Sequence, residues 1–199
     1  MKFKFGLRSG LIVALLLIAT SLFAASPATL LQGVADRMVS QLNQHKTELH
    51  DSTVIHQIVN TTLVPIIDSN RMAGMVVGRQ NWYAASPQER REFVALFKKY
   101  VINTYANALA SFDDDHLQVY PLRGNISQRF VSVRSVIIRK SGQRIGISYN
   151  MVQSGGQWKV YDFSIEGVSI VQNYRSQFSS ILASGGMHQL IQKLQNRAK

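Results

Sequence analysis

The sequence contains no cysteine. A disulfide framework, a thiolate nucleophile and a sulfur-ligated metal site are therefore all excluded. Acidic residues are scarce, 11 against 22 lysines and arginines, so the formal net charge is +11 over 199 residues. The longest unbroken apolar run, Leu11 to Ala19, has only nine residues, less than half of the roughly 20 that a membrane-spanning helix needs. Catalytic signatures are missing as well. There is no HExxH, no GxSxG elbow, no phosphate-cradling glycine loop and no dinucleotide fingerprint. His45 and His50 are five apart and His50 and His56 six apart, and neither spacing stacks two metal ligands on one helical face. No repeat and no low-complexity segment is present.

What stands at the N-terminus has the layout of a secretory signal peptide. Lys2, Lys4 and Arg8 precede the short apolar run, and the small residues Ala24, Ala25 and Ser26 follow it. The expectation is a signal peptide over 1–25, a single domain over 26–199 and a soluble, exported chain. Three basic residues leave with the leader, so the remaining 174 residues carry +8. That length supports a core held by packing alone. An exported basic protein meets anionic lipid surfaces and acidic protein faces rather than nucleic acid.

Periodicity divides the remainder into a helical half, a strand half and a helical tail. Leu31, Val34, Ala35, Met38 and Leu42 recur at helical spacing behind Ser26-Pro27. A second stripe from Ile55 to Ile66 meets Pro65, which ends or kinks its helix. Met72, Met75 and Val76 belong to a short helix that stops near Gly78. Ser86-Pro87-Gln88-Glu89 reads as a capping box, and the helix behind it aligns Phe93, Phe97, Tyr100, Val101, Tyr105 and Leu109. Asp113-Asp114-Asp115 is a solvated loop. From Leu117 the period becomes two, with strands expected over 117–122, 129–140, 143–153 and 157–165, joined by glycine turns into an antiparallel meander. Ile145, Ile147, Tyr149 and Met151 fall on one side of the third strand. Tyr161, Phe163 and Ile165 finish the fourth strand. Glu166 to Ser169 then makes a corner, with Ser169 and Gln172 as a second capping box, Gly185-Gly186 as the end of that helix and a short basic helix closing the chain.

The fold class is therefore α+β: a curved antiparallel sheet of about four strands, packed by N-terminal helices and a C-terminal helical tail. Apolar residues exceed what a simple core needs, and an apolar pocket between sheet and helices would use the surplus. The candidate lining residues are Met75, Val76, Trp82, Val101, Tyr105, Val133, Ile145, Ile147, Tyr149 and Phe163. Asp162 and Glu166 are the carboxylates nearest such a pocket. As an acid and base they would serve a small hydrolase or isomerase. Four residues along one strand span roughly 13 Å, too far for a working pair. The structural alternative has Glu166 accepting backbone donors at the helix start. Arg129, Arg139, Lys140 and Arg144 form a basic strip that suits an adaptor binding membranes or acidic partners, or serves solubility alone.

Two stretches carry a resemblance. LVPIIDSNRMAGMVVGRQNWYAASPQERREFVALFKKYVINTYANAL and VYDFSIEGVSIVQNYRSQFSSIL resemble the MlaC or toluene-tolerance family of periplasmic phospholipid-binding proteins, over about Leu30 to Leu194. The most specific pieces are the EGVS corner and the Ser-Pro-Gln-x-Arg helix start. The resemblance implies a phospholipid carried as cargo in a deep apolar pocket, with no cofactor and no catalytic residue. It also implies two partners, an outer-membrane lipoprotein-porin complex and an inner-membrane ATP-driven lipid transporter, in the service of outer-membrane lipid asymmetry.

Overall fold

The computed structural model describes residues 26–122 and 128–197. The expected signal peptide lies outside the described residues. Among those residues no helix is long and apolar enough to cross a membrane.

The helical half follows its capping chemistry. Helix α1, Pro27–Gln44, starts where the Ser26 hydroxyl accepts the Thr29 N–H. Helix α2, Ser52–Thr62, is capped by Asp51 and ends ahead of Pro65, which sits in the 3-10 turn Val64–Ile66. Helix α3, Ser69–Val77, is capped by Asp68 and stopped by Gly78 at φ +79°. A six-residue helix that periodicity did not separate, α4 (Arg79–Ala84), follows at once. Helix α5, Pro87–Ala110, opens with both bonds of the expected box. The Glu89 N–H donates to Ser86 Oγ at 3.2 Å, and the Ser86 N–H donates to Glu89 Oε2 at 2.8 Å.

That backbone N–H holds the Glu89 carboxyl below its usual range. The box therefore contributes above the ordinary glutamate range and weakens as pH falls through the lowered folded value. Ser86→Ala removes the cap and should cost about 1 kcal/mol, a fall in Tm of about 2–4 °C for a domain of this size. Thermal unfolding followed by circular dichroism reads it, and an unchanged midpoint would contradict the capping assignment.

The strand half forms one curved antiparallel sheet in sequential order: β1 His116–Val119, β2 Phe130–Ile138, β3 Arg144–Ser154, β4 Gln157–Ile165 and β5 Val168–Ser169. About four strands were expected, and β5 is the addition, a two-residue pairing with Ser164 and Ile165. Both edge strands are short. On β1 the Val119 N–H donates to the Gln32 side chain of α1 at 3.0 Å. The register breaks between Asn150 and Met151, so that Tyr149 faces Phe163 while Met151 faces Val160. This bulge changes the phase of β4. Trp158 and Val160 join Met151 in the core, while Tyr161, expected on the side of Phe163, packs its ring edge-on against Phe130 at 6.0 Å.

Helix α6, Ile170–Arg197, is two helical segments meeting at Gly186, where φ is 62° and ψ −156°, so the break falls at the expected Gly185-Gly186 stop and a short helix closes the tail. It packs against α3, and against α5 through rings: Phe97 meets Tyr174 at 5.2 Å and Phe178 at 6.1 Å between centroids. A separate cluster joins Leu31 and Val34 of α1 to Val133, Met151 and Val160 of the sheet. The two cores and a third, between α2 and the end of α5, leave space between helices and sheet.

Candidate functional site

That space is a cavity of about 460 Å³, within the range of ligand pockets. Helix α1 contributes Leu31, Val34 and Met38, and α5 contributes Val94, Val101 and Tyr105. The opposite wall is the sheet, with Ile137 of β2, Ile145, Ile147 and Tyr149 of β3, and Val160, Phe163 and Ile165 of β4. Alternation explains the β3 residues and the bulge explains why both Val160 and Phe163 reach the same wall.

The wall is uncharged over most of its area. Tyr149 is the most polar group of its centre, and its hydroxyl lies 3.3 Å from the Ser135 hydroxyl. Burial pushes the Tyr149 phenol up, and partial burial does the same to Tyr105, so both stay neutral at physiological pH. Outside the tyrosines the polar lining consists of Ser69, Lys98, Asp115 and Arg139.

Six of the sequence candidates line the cavity: Val101, Tyr105, Ile145, Ile147, Tyr149 and Phe163. Met75, Val76, Trp82 and Val133 do not. Val76 is fully buried in the helical core beside α6, and Met75 and Trp82 pack against that same core. Trp82 is pinned there because its ring covers Gly74, where a methyl would sit 3.2 Å away, and because the Arg90 guanidinium lies 5.6 Å over it. Val133 points to the cavity side but is sealed under α1, at 1 % exposure. The neighbouring Met72 takes the lining place on α3. The α1 residues were legible as an apolar stripe, but no local signal distinguishes a stripe that faces a void from one that faces a core.

The two carboxylates of the corner lie outside this lining and serve the backbone. Asp162, 6 % exposed, accepts the Ser169 hydroxyl at 2.8 Å and the Val171 N–H at 3.1 Å. Glu166, in the left-handed region at φ 50°, accepts the Gly146 N–H of β3. The helix start is thus anchored by Asp162 and not by Glu166, because the turn through Gly167 carries Glu166 back over β3 while Asp162 stays beneath the first turn of α6. Of the second capping box, the Gln172 N–H donates to Ser169 Oγ at 3.1 Å. Among the described residues no group of three histidine, aspartate or glutamate side chains is placed to hold a metal.

Comparison with known proteins places this geometry in company. A family model described as MlaC protein matches residues 32–196. The "Intermembrane phospholipid transport system binding protein MlaC" of Haemophilus influenzae is 27 % identical over 192 residues, covering 94 % of this chain and 89 % of the relative. The "Toluene tolerance protein ttg2D" of Pseudomonas putida is 24 % identical over 182 residues, covering 90 % and 84 %. Among solved structures, the phospholipid-binding protein of Ralstonia solanacearum, in complex with a phospholipid, superposes with a TM-score of 0.80 at 26 % identity, over 87 % of this chain and 97 % of that one.

Proposed function

The chain belongs to the MlaC protein family, and from that membership we propose that it is a periplasmic carrier that shelters a phospholipid in its apolar cavity while crossing water. The observation that carries the reading is the cavity of about 460 Å³ with an apolar wall on sheet and helix alike. Its lining residues, Val101, Tyr105, Ile145, Ile147, Tyr149 and Phe163 among them, are the surfaces offered to acyl chains.

Each methylene withdrawn from water is worth about 0.8 kcal/mol, so a two-chain lipid with about 30 of them gains on the order of 20 kcal/mol as an upper bound. Escape into water is then negligible. Transfer from a bilayer exchanges one apolar medium for another, and the net driving force is small. Release therefore depends on docking to a membrane complex that opens the path. The partners that fit are an outer-membrane lipoprotein-porin complex and an inner-membrane ATP-driven transporter, with the basic surface meeting acidic faces. The chain's work is binding and not catalysis, since the two corner carboxylates are occupied by backbone and hydroxyl donors. A basic adaptor with a filled interior is the less favoured reading, because it has no use for the cavity.

Organic extraction of purified protein followed by mass spectrometry tests the proposal. The expected result is about one phospholipid per protein, with uptake of labelled phospholipid from liposomes after delipidation. Empty protein that takes up none would overturn it.

A further inference from the structure

Carriage of acyl chains leaves one part of the cavity unexplained. Arg139 stands in the mostly apolar lining, and its Nε is buried without a hydrogen-bond partner. Strand geometry puts it there. Ile137 faces the cavity, and two residues on, Arg139 takes the same side. The hairpin fixes its backbone, the Arg139 N–H donating to the Gln143 carbonyl at 2.9 Å and the Gly142 N–H donating to the Arg139 carbonyl at 2.8 Å. Its side chain is aimed from α5. The Ser111 hydroxyl donates to the Ala108 carbonyl at 2.9 Å, which leaves its oxygen as the acceptor 3.5 Å from Arg139 Nη1.

Among the described residues the guanidinium forms no ion pair. The nearby acids Asp113 and Asp114 pair with Lys46, and Asp113 also with Lys140. Asp115, one step beyond the His116–Ile138 pair of the ladder, lies across from Arg139 and lines the cavity, yet the two form no ion pair among the described residues. A guanidinium cannot shed its proton. A buried donor on a permanent charge is costly until an acceptor fills it.

We propose that Arg139 receives the phosphodiester of the carried phospholipid, its Nε–H and Nη2–H donating in parallel to two phosphate oxygens. The inference rests on the carrier reading. A planar fork matches two oxygens in a way that an ammonium cannot. The sheet supplies the matching length: Arg139 stands six residues along from Val133, the partner of Tyr149, which is about 20 Å at the usual rise. A head held at Arg139 thus lays its chains along Ile137, Ile145 and Ile147 toward Tyr149. The Asp115 carboxylate beside it suits a zwitterionic head, so phosphatidylethanolamine is the probe.

Delipidated protein is incubated with vesicles containing phosphatidylethanolamine and diacylglycerol with identical chains, separated and extracted. The ratio of the two lipids bound is then compared between wild type and Arg139→Gln. The variant should lose at least about tenfold of the preference for the phospholipid, the discrimination expected of one charge-assisted bond. Its total load of acyl chains should be unchanged, and Arg139→Lys should fall between. A ratio identical to wild type would overturn the assignment while leaving the carrier reading intact. Wild type that takes up neither lipid would sink both. A measurement on unmutated protein guards against misfolding of the variants: the Arg139 Nε–H resonance of nitrogen-labelled protein should shift on loading with phosphatidylethanolamine and stay in place with diacylglycerol. An equal shift with a free fatty acid would make the site a general anion site and overturn its assignment to the phosphodiester.

Discussion

Ile147→Glu should yield purified protein that carries less than about a tenth of the wild-type phospholipid, because a carboxylate in an apolar wall is costly whether it is charged or neutral. Ile147 sits on the middle strand of the sheet, between Ser135 of β2 and Ile165 of β4, and its side chain lines the cavity. Chains packed against it would have to bury the new carboxylate or withdraw. Gln153→Glu, an exposed position on the same strand, should leave the load unchanged. Extraction with organic solvent and mass spectrometry gives moles of phospholipid per mole of protein. Since a bound lipid itself raises apparent stability, the thermal midpoint of the variant is compared with that of delipidated wild type. Equal midpoints with an empty cavity support a lining role. Unfolding of Ile147→Glu, and likewise of Val101→Trp from the helix wall, would mean that both positions are core.

Asp162→Ala should destabilise the protein by about 3 kcal/mol, since a buried N–H and a hydroxyl lose a charged acceptor together. For a domain of this size that is a fall in Tm of about 6–12 °C. The Val171 N–H belongs to the first turn of α6, where the helix dipole adds to the attraction for a negative charge. Asp162→Asn keeps an acceptor for Val171 and should recover more than half of the loss. Lipid transfer between vesicles separates this anchoring role from a catalytic one. Below the new midpoint, Asp162→Ala should still carry phospholipid at the wild-type rate. A stable Asp162→Ala, with Asp162→Asn no better, would contradict the anchor.

Much of this molecule is legible in the sequence because helix starts and strand alternation are local. Ser26-Pro27 and Ser86 through Glu89 mark two helix starts, since side-chain caps depend only on the next three residues. Ile145, Ile147 and Tyr149 reach the cavity because alternation on β3 runs without a break up to Asn150. The cavity's other half is less legible. Whether Val76 or Met72 faces the void depends on how α3 is rotated against α6, a long-range contact that hydrophobic spacing does not encode. The bulge leaves only a faint mark, the adjacent apolar pair Val160-Tyr161, where the alternation slips by one residue. It turns Val160 inward and Tyr161 away, although Tyr161, Phe163 and Ile165 read as one face. In the sequence Glu166 reads as the anchor of the corner because a negative charge is favoured at a helix start. The backbone at φ 50° sends it elsewhere, and Asp162 reaches the donors from the strand beneath.

The brevity of the two outer strands has a consequence for how copies of the chain meet one another. A sheet that ends in a long bare strand invites another molecule to continue it, and stacked copies of that kind grow into fibrils. Here one margin is four residues long with a glutamine of α1 already bonded to it. On the other, β5 covers only Ser164 and Ile165 before turning into a helix, and further along β4 the Ile67 bridge and the Asp68 N–H occupy Val160. Each margin is thus interrupted by the chain's own groups, which limits growth along the sheet when the molecule is emptied and refilled.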